Sequence, residues 1–246
     1  NVTTGYFNTA IGSRALQGNL TGFQNVAVGE SALLLNNSGQ YNMAIGTSAL
    51  ASNLSGSRNT SIGYTSLTNL TANNDNTAIG FEALFSGTAA GNTGIGTSSS
   101  YKNATGTGNV SVGFQANYQS STSTENTTIG YGAASGSAAN ITTSGNVTIG
   151  FQAGTNYITN ANYNTLIGYK SGQAVTSGAR NVLIGPSTIA ASYNQVTTGA
   201  NNIAIGNDVA VLSATASNQL SLGNVLYGSG LDGTGATISA GILGIG

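Results

Sequence analysis

The stretch Asn8-Thr-Ala-Ile-Gly12 returns as Asn25-Val-Ala-Val-Gly29 and again as Asn42-Met-Ala-Ile-Gly46, each time seventeen residues further along the chain. This Asn-x-x-(Ile/Val)-Gly string occurs twelve times, and a weaker thirteenth copy ends at Gly223. Eight of the twelve spacings are 17 residues, and most of the others are longer. Because a fixed short period marks a repeat architecture, the chain is one repeat array. The closing glycines are Gly12, Gly29, Gly46, Gly63, Gly80, Gly96, Gly113, Gly130, Gly150, Gly168, Gly185 and Gly206.

Each copy carries the pattern of a strand, because large β-branched and small side chains alternate with a period of two. Seventeen residues are too few for the helical repeat classes, which need about 33 residues or more. They fit one turn of a solenoid with two short strands and two corners. The sequence therefore predicts an all-β fold, a parallel β-solenoid (β-roll) of about 13 coils, roughly 60 Å long at about 4.8 Å per coil.

The residue four before the closing glycine is Asn in twelve copies and Gln219 in the thirteenth. In a stacked solenoid these side chains lie above one another, and each amide carries both a donor and an acceptor. We therefore predict a structural asparagine ladder. Its members are Asn8, Asn25, Asn42, Asn59, Asn76, Asn92, Asn109, Asn126, Asn146, Asn164, Asn181 and Asn202.

Three further rows recur at fixed distances from the closing glycine. The Ile/Val row, one residue before it, is expected in the core, with Ile45, Ile62, Ile79 and Ile129 almost fully buried. A leucine row, four residues after it, is expected in the core or between chains. An aromatic row, one residue after it, is expected to pack laterally within the coil or against another chain, or else to stack sugar rings. The leucine row is Leu16, Leu33, Leu50, Leu67 and Leu84. The aromatic row is Tyr64, Phe81, Phe114, Tyr131, Phe151 and Tyr169.

Charge is scarce, since five Lys+Arg and six Asp+Glu make up 4% of 246 residues, against roughly 25% in ordinary domains. Most charged residues fall in two registers, which must face solvent because isolated charges do not bury without partners. Arg58 and Asp75 share one register in adjacent coils, so they are placed to pair. The other register, which we expect to be exposed, holds Arg14, Glu82, Lys170 and Asp208.

Composition argues against several functional classes. With no His and no Cys, the chain lacks a Ser-His-Asp triad, a cysteine nucleophile and the usual zinc ligands. Five scattered cations are too few for nucleic acid or for a basic membrane patch, and no apolar run approaches the ~18 residues of a membrane span. Asp75 and Glu125 share a register about 14 Å apart, beyond the reach of paired catalytic carboxylates. We predict no catalytic residue, no metal and no cofactor.

The strings Asn8-Thr-Ala-Ile-Gly12, Asn25-Val-Ala-Val-Gly29 and Asn76-Thr-Ala-Ile-Gly80 resemble the head repeats of YadA-like trimeric autotransporter adhesins. They are also similar to repeats of tail-fibre-like proteins that end in an endosialidase-type chaperone. The stretch Leu220-Ser-Leu-Gly-Asn-Val-Leu-Tyr-Gly228, with Asp232-Gly-Thr-Gly235 and Gly244-Ile-Gly246, resembles the segment before that chaperone. The likeness covers essentially the whole chain.

The resemblance implies a left-handed β-roll, assembled as a parallel homotrimer on the outside of a cell or virion. The family repeat is typically shorter than 17 residues, so a wider coil is expected here. Residues 1–223 are expected to form the repeat region, and 224–246 a Gly-rich segment leading to a downstream region. Gly5 corresponds to Gly22 in the next copy, so we expect the chain to be part of something longer.

The sequence favours a non-enzymatic fibre or adhesin head segment that spaces or presents a binding surface. Its expected partners are two further copies of itself, through one of the apolar rows and small residues such as Ala27 and Ala44, and a surface glycan or host receptor. The alternatives are a glycan-binding phage tail fibre or spike and, less favoured, an ice-binding solenoid, which would need an unbroken threonine array. The sequence leaves open whether rods stack into filaments.

Overall fold

The computed structural model describes residues 4–138, 140–188 and 196–230, together with the backbone of residues 242–245. In these ranges the chain forms fifteen short strands in one sheet, ordered as in the sequence, and no helix. The predicted all-β solenoid with a repeat of about 17 residues is confirmed. The strands are β1 Thr9–Ile11, β2 Val26–Val28, β3 Met43–Ile45, β4 Thr60–Ile62, β5 Thr77–Ile79, β6 Thr93–Ile95, β7 Val110–Val112, β8 Thr127–Ile129, β9 Val147–Ile149, β10 Thr165–Ile167, β11 Val182–Ile184, β12 Ile203–Ile205, β13 Leu220–Leu222, β14 Leu226–Ser229 and β15 Ile242–Ile245.

The strands β1 to β13 pair in parallel and in register, each with its counterpart one coil away. Ile45, for example, pairs with Val28 on one side and Ile62 on the other. Twelve turns therefore separate β1 from β13. Beyond it β14 and β15 add in antiparallel fashion, so the parallel ladder ends at Leu222.

The expectation of two strands per coil is wrong, because in the described ranges each coil carries one assigned strand of three residues. No strand can run through the segment just after the corner, since residues two and four after the closing glycine have positive φ, 57° at Ser31 and 51° at Leu33. The backbone of this segment nevertheless forms hydrogen bonds to the neighbouring coils. The Ser31 N–H donates to Ser13 O at 2.8 Å, and the Leu33 N–H donates to Ala49 O at 2.9 Å.

The closing glycine turns the corner after each strand with φ between 123° and 137° in the first twelve coils. A Cβ on Gly29 would lie 2.7 Å from the carbonyl oxygen of Gly46 in the next coil. Glycine is needed here both for this backbone angle and for the close approach of stacked corners.

The predicted burial of the Ile/Val row is wrong. The middle residue of each strand points inward, so Ala27 and Ala44 are 0% exposed. Ile79 and Ile129, which flank the middle residue, point outward and are 36% and 38% exposed, while Ile45 and Ile62 are half-buried. In the first five coils the inner residue is Ala or Ser because the leucine row already fills the core opposite the strand. Ala27 and Ala44 therefore pack inside their own coil and are not available as a surface between chains.

The core is filled by the leucine row, each member at most 3% exposed, so this row is core and not a contact between chains. In the middle coils the core becomes polar, with Ser99, Ser111 and Thr128 buried. It turns apolar again around Leu166 and Tyr157, whose burial raises the pKa of its phenol.

Candidate functional site

The predicted asparagine positions form one continuous buried ladder. The backbone N–H of Asn126 donates to Asn109 Oδ1 at 3.1 Å, and the Asn126 amide donates to the same oxygen at 3.1 Å. The backbone bond recurs at all twelve steps from Asn8 to Gln219, at 2.7 to 3.1 Å. Since its members beyond Asn8 are almost fully buried, the ladder holds the coils together and offers no surface to a ligand.

A second, shorter ladder was not anticipated from the sequence. Asn36 donates to Asn19 Oδ1, and Asn53 donates to Asn36 Oδ1, both at 2.7 Å. Leu70 occupies the next position, so Asn53 Oδ1 has no hydrogen-bond partner among the described residues. The 17-residue spacing of these three asparagines is the sequence feature that indicates this ladder, but the spacing ends after three coils.

The outward side of the strands is an uncharged surface that runs the length of the rod; we call it the strand face. It consists of the residues three and one before each closing glycine, such as Thr77 and Ile79. No charged residue occupies either register in the first twelve coils. Three-residue strands over thirteen coils give a surface of about 10 by 60 Å, or about 600 Å². An area of about 600 Å² is at the upper end of the largest apolar patch on a typical monomer, and such patches are often functional.

The aromatic row lies beyond the glycine corner, and its rings form a column. Phe114, Tyr131, Phe151 and Tyr169 stack in sequence, with centroids 4.9 to 5.4 Å apart and ring planes within 17° of parallel. A separate pair, Tyr64 and Phe81, stacks at 5.3 Å. All six side chains remain exposed. We call these six residues the aromatic column.

This stacking determines what the column can contact. A sugar or aromatic ligand stacks on the face of a ring, but inside the column each face already covers a neighbouring ring. Tyr131, for example, lies between Phe114 and Phe151. The column therefore presents mainly ring edges, which suit packing against another surface better than sugar stacking.

A second column, Phe85, Tyr101 and Tyr118, stacks at 5.1 and 5.2 Å on another side of the coil. These rings are half-buried and lie five residues after their closing glycines. The pattern spans only three coils, which is why it did not stand out as a row in the sequence.

The charged side chains lie away from the strand face, and two pairs of them form salt bridges between adjacent coils. The predicted pair is present, since Arg58 donates to both carboxylate oxygens of Asp75 at 2.6 and 2.9 Å. Arg14 donates to Glu30 at 3.2 Å. Four charged residues two after a closing glycine were expected to be exposed. Arg14 is exposed, but the other three are half-buried. Those half-buried residues are Glu82, Lys170 and Asp208.

The hydrogen bonds from Arg58 lower the pKa of Asp75. A carboxylate whose pKa is lower in the folded state stabilises the fold above its unfolded pKa, and this contribution is lost as pH falls through the folded pKa. We expect Arg58→Gln to raise the pKa of Asp75 towards its ordinary value, as followed by NMR titration of the carboxyl carbon. Arg180→Gln, in the same register far along the rod, is the control. A pKa of Asp75 that is unchanged in Arg58→Gln would contradict the pairing.

Comparison with models of protein families, with curated proteins and with solved structures gave no match to this chain. Across the described ranges, no helix is long and apolar enough to cross a membrane. In the same ranges, no three His, Cys, Asp or Glu residues are grouped so that they could hold a metal ion.

Proposed function

We propose that this chain is a structural, non-enzymatic segment of an extracellular fibre or adhesin head, on a cell surface or a virion, that spaces or presents a binding surface. The observation that carries the proposal is the unbroken twelve-step asparagine ladder along a rod of roughly 60 Å. In such a rod each coil is hydrogen-bonded to the coils directly before and after it, so the length is set by the number of coils. A rod of fixed length is suited to separating a binding surface from the point where the fibre is attached.

We further propose that the segment assembles as a parallel homotrimer through its strand face. The likeness to YadA-like head repeats selects three copies, and the uncharged β-branched surface supports a contact there. In a trimer this face of about 600 Å² is shared between two neighbouring chains. The leucine row and the inward alanines, buried in their own coil, do not contribute.

Neither alternative function is favoured by the geometry. Sugar stacking along the aromatic column is hindered because most ring faces cover one another. An ice-binding array would need threonine throughout one outward row, but Val26, Met43 and Val110 interrupt the row three before the closing glycine.

The test of assembly is native mass measurement of the wild type and of the double variant Ile79→Glu/Ile129→Glu. We expect the wild type to be a trimer and the variant a monomer with an unchanged far-UV spectrum, because two carboxylates per chain would have to be desolvated in the interface.

Leu54→Glu is the matched control, since Leu54 is an exposed apolar residue outside the strand face. We expect it to remain a trimer. A monomeric wild type, or a double variant that still forms trimers, would contradict the assembly through the strand face.

A further inference from the structure

The aromatic column has one gap. Phe81 stacks on Tyr64 and Phe114 stacks on Tyr131, but the residue between the two pairs, in the same register of the intervening coil, is Thr97. Equivalent residues of these three coils lie directly above one another, because β5, β6 and β7 pair in register. Phe81 and Phe114 therefore occupy the same register one coil below and one coil above Thr97, whose side chain is short.

The gap has the dimensions of one ring. Two coil rises separate Phe81 from Phe114 by about 10 Å, twice the 4.9 to 5.4 Å between stacked neighbours in the column. Thr97 is exposed, and Phe81 and Phe114 are 48% and 39% exposed. Among the described residues, Phe81 stacks only on Tyr64 and Phe114 only on Tyr131, so neither ring has an aromatic neighbour on the side of Thr97.

We propose that this gap, the ring slot formed by Phe81, Thr97 and Phe114, binds one planar uncharged aromatic ring. The chain fills the equivalent position in six other coils with Phe or Tyr, so an aromatic ring is the group that fits the column's own spacing. A ring inserted there is sandwiched on both faces, and the Thr97 hydroxyl can hydrogen-bond a phenol. A pyranose chair is thicker than a planar ring and needs more hydrogen-bonding groups than this one hydroxyl.

The slot lies beyond the glycine corner from the strand face, so we place it outside the proposed interface between copies. The ring would come from a free small aromatic or from a Tyr or Phe side chain of a partner protein. The two sources share the chemistry of the ring and differ in what is attached to it.

The experiment uses the assembled protein labelled with fluorophenylalanine and titrated with p-cresol, with N-acetyl-tyrosine amide or with methyl glucoside. We expect p-cresol to shift the fluorine resonances of Phe81 and Phe114 and to leave that of Phe151, covered on both faces, unchanged. Shifts by the tyrosine amide as well would assign the slot to a side chain, whereas shifts by p-cresol alone would assign it to a small molecule.

Thr97→Phe should fill the slot, abolish the shifts and raise the melting temperature by completing the stack, whereas Thr97→Ser should leave binding unchanged. Should Thr97→Phe not fold, Phe114→Leu tests the same point by removing one wall, and it should lose most of the binding. The proposal is overturned if p-cresol shifts neither ring up to its solubility limit, if Phe151 shifts equally, or if only the glucoside shifts the two rings.

Discussion

Replacing Leu50 by Ala is expected to lower the free energy of unfolding by about 2–5 kcal/mol, measured by chemical denaturation. Leu50 is completely buried and packs in the cluster formed by the leucine row. The coil is closed by hydrogen bonds to its neighbours above and below, so it has little freedom to collapse around the missing methyl groups. Both residues would adopt the positive φ of 53° at this position, so the difference reports packing and not backbone strain.

The matched control is Leu35→Ala, the same chemical change at an exposed leucine outside both the core and the strand face. Its expected cost is below about 0.5 kcal/mol. Equal losses for the two variants would mean that the leucine row does not form the core.

The second large effect is expected for Asn109→Leu in the middle of the asparagine ladder. Asn109 Oδ1 accepts two hydrogen bonds from Asn126, and its amide donates to Asn92 Oδ1 at 3.0 Å and to Ser123 O at 2.7 Å. Leucine has a similar volume but no polar atoms, so it leaves two buried groups, the Asn126 N–H and Ser123 O, without a partner at about 1–3 kcal/mol each. We expect a local loss of about 2–4 kcal/mol after relaxation.

Hydrogen exchange reports this loss at one amide, the backbone N–H of Asn126, which donates to Asn109 Oδ1. A change of about 3 kcal/mol corresponds to exchange roughly 100-fold faster. Asn37→Leu, at an exposed asparagine of another register, should leave the Asn126 rate unchanged. If the Asn126 rate were the same in Asn109→Leu and the wild type, the ladder would not stabilise the coil.

The period and the chemistry of each row were sufficient to predict the solenoid, the parallel pairing and the alignment of the asparagines. Once consecutive copies stack, a residue at a fixed distance from the closing glycine lies above its equivalent, as Asn109 lies beside Asn126. The pairing of Arg58 with Asp75 follows from the same rule. These features depend only on the spacing of residues along the chain, so they can be predicted from one sequence without related sequences.

Rows confined to a few coils were harder to recognise. Two rows each span only three coils, too few to stand out in the sequence: the ladder through Asn19, Asn36 and Asn53, and the column through Phe85, Tyr101 and Tyr118. Only the coordinates show that these residues touch.

The sequence by itself therefore determined the repeat, the direction of pairing and the identity of each stacked row, because all three follow from periodicity. Which side of the strand faces inward was decided by the tertiary structure. The alternation of large and small residues is compatible with either Ile79 or Ala78 pointing into the core. Which of the two points inward depends on the side chains that fill the core on the opposite side of the coil. In the first five coils the leucines, held at positive φ on another side of the coil, fill that space, so only a small strand residue fits and the isoleucines and valines face outward. Beyond the leucine row, the larger Leu166 and Leu183 occupy the inward position.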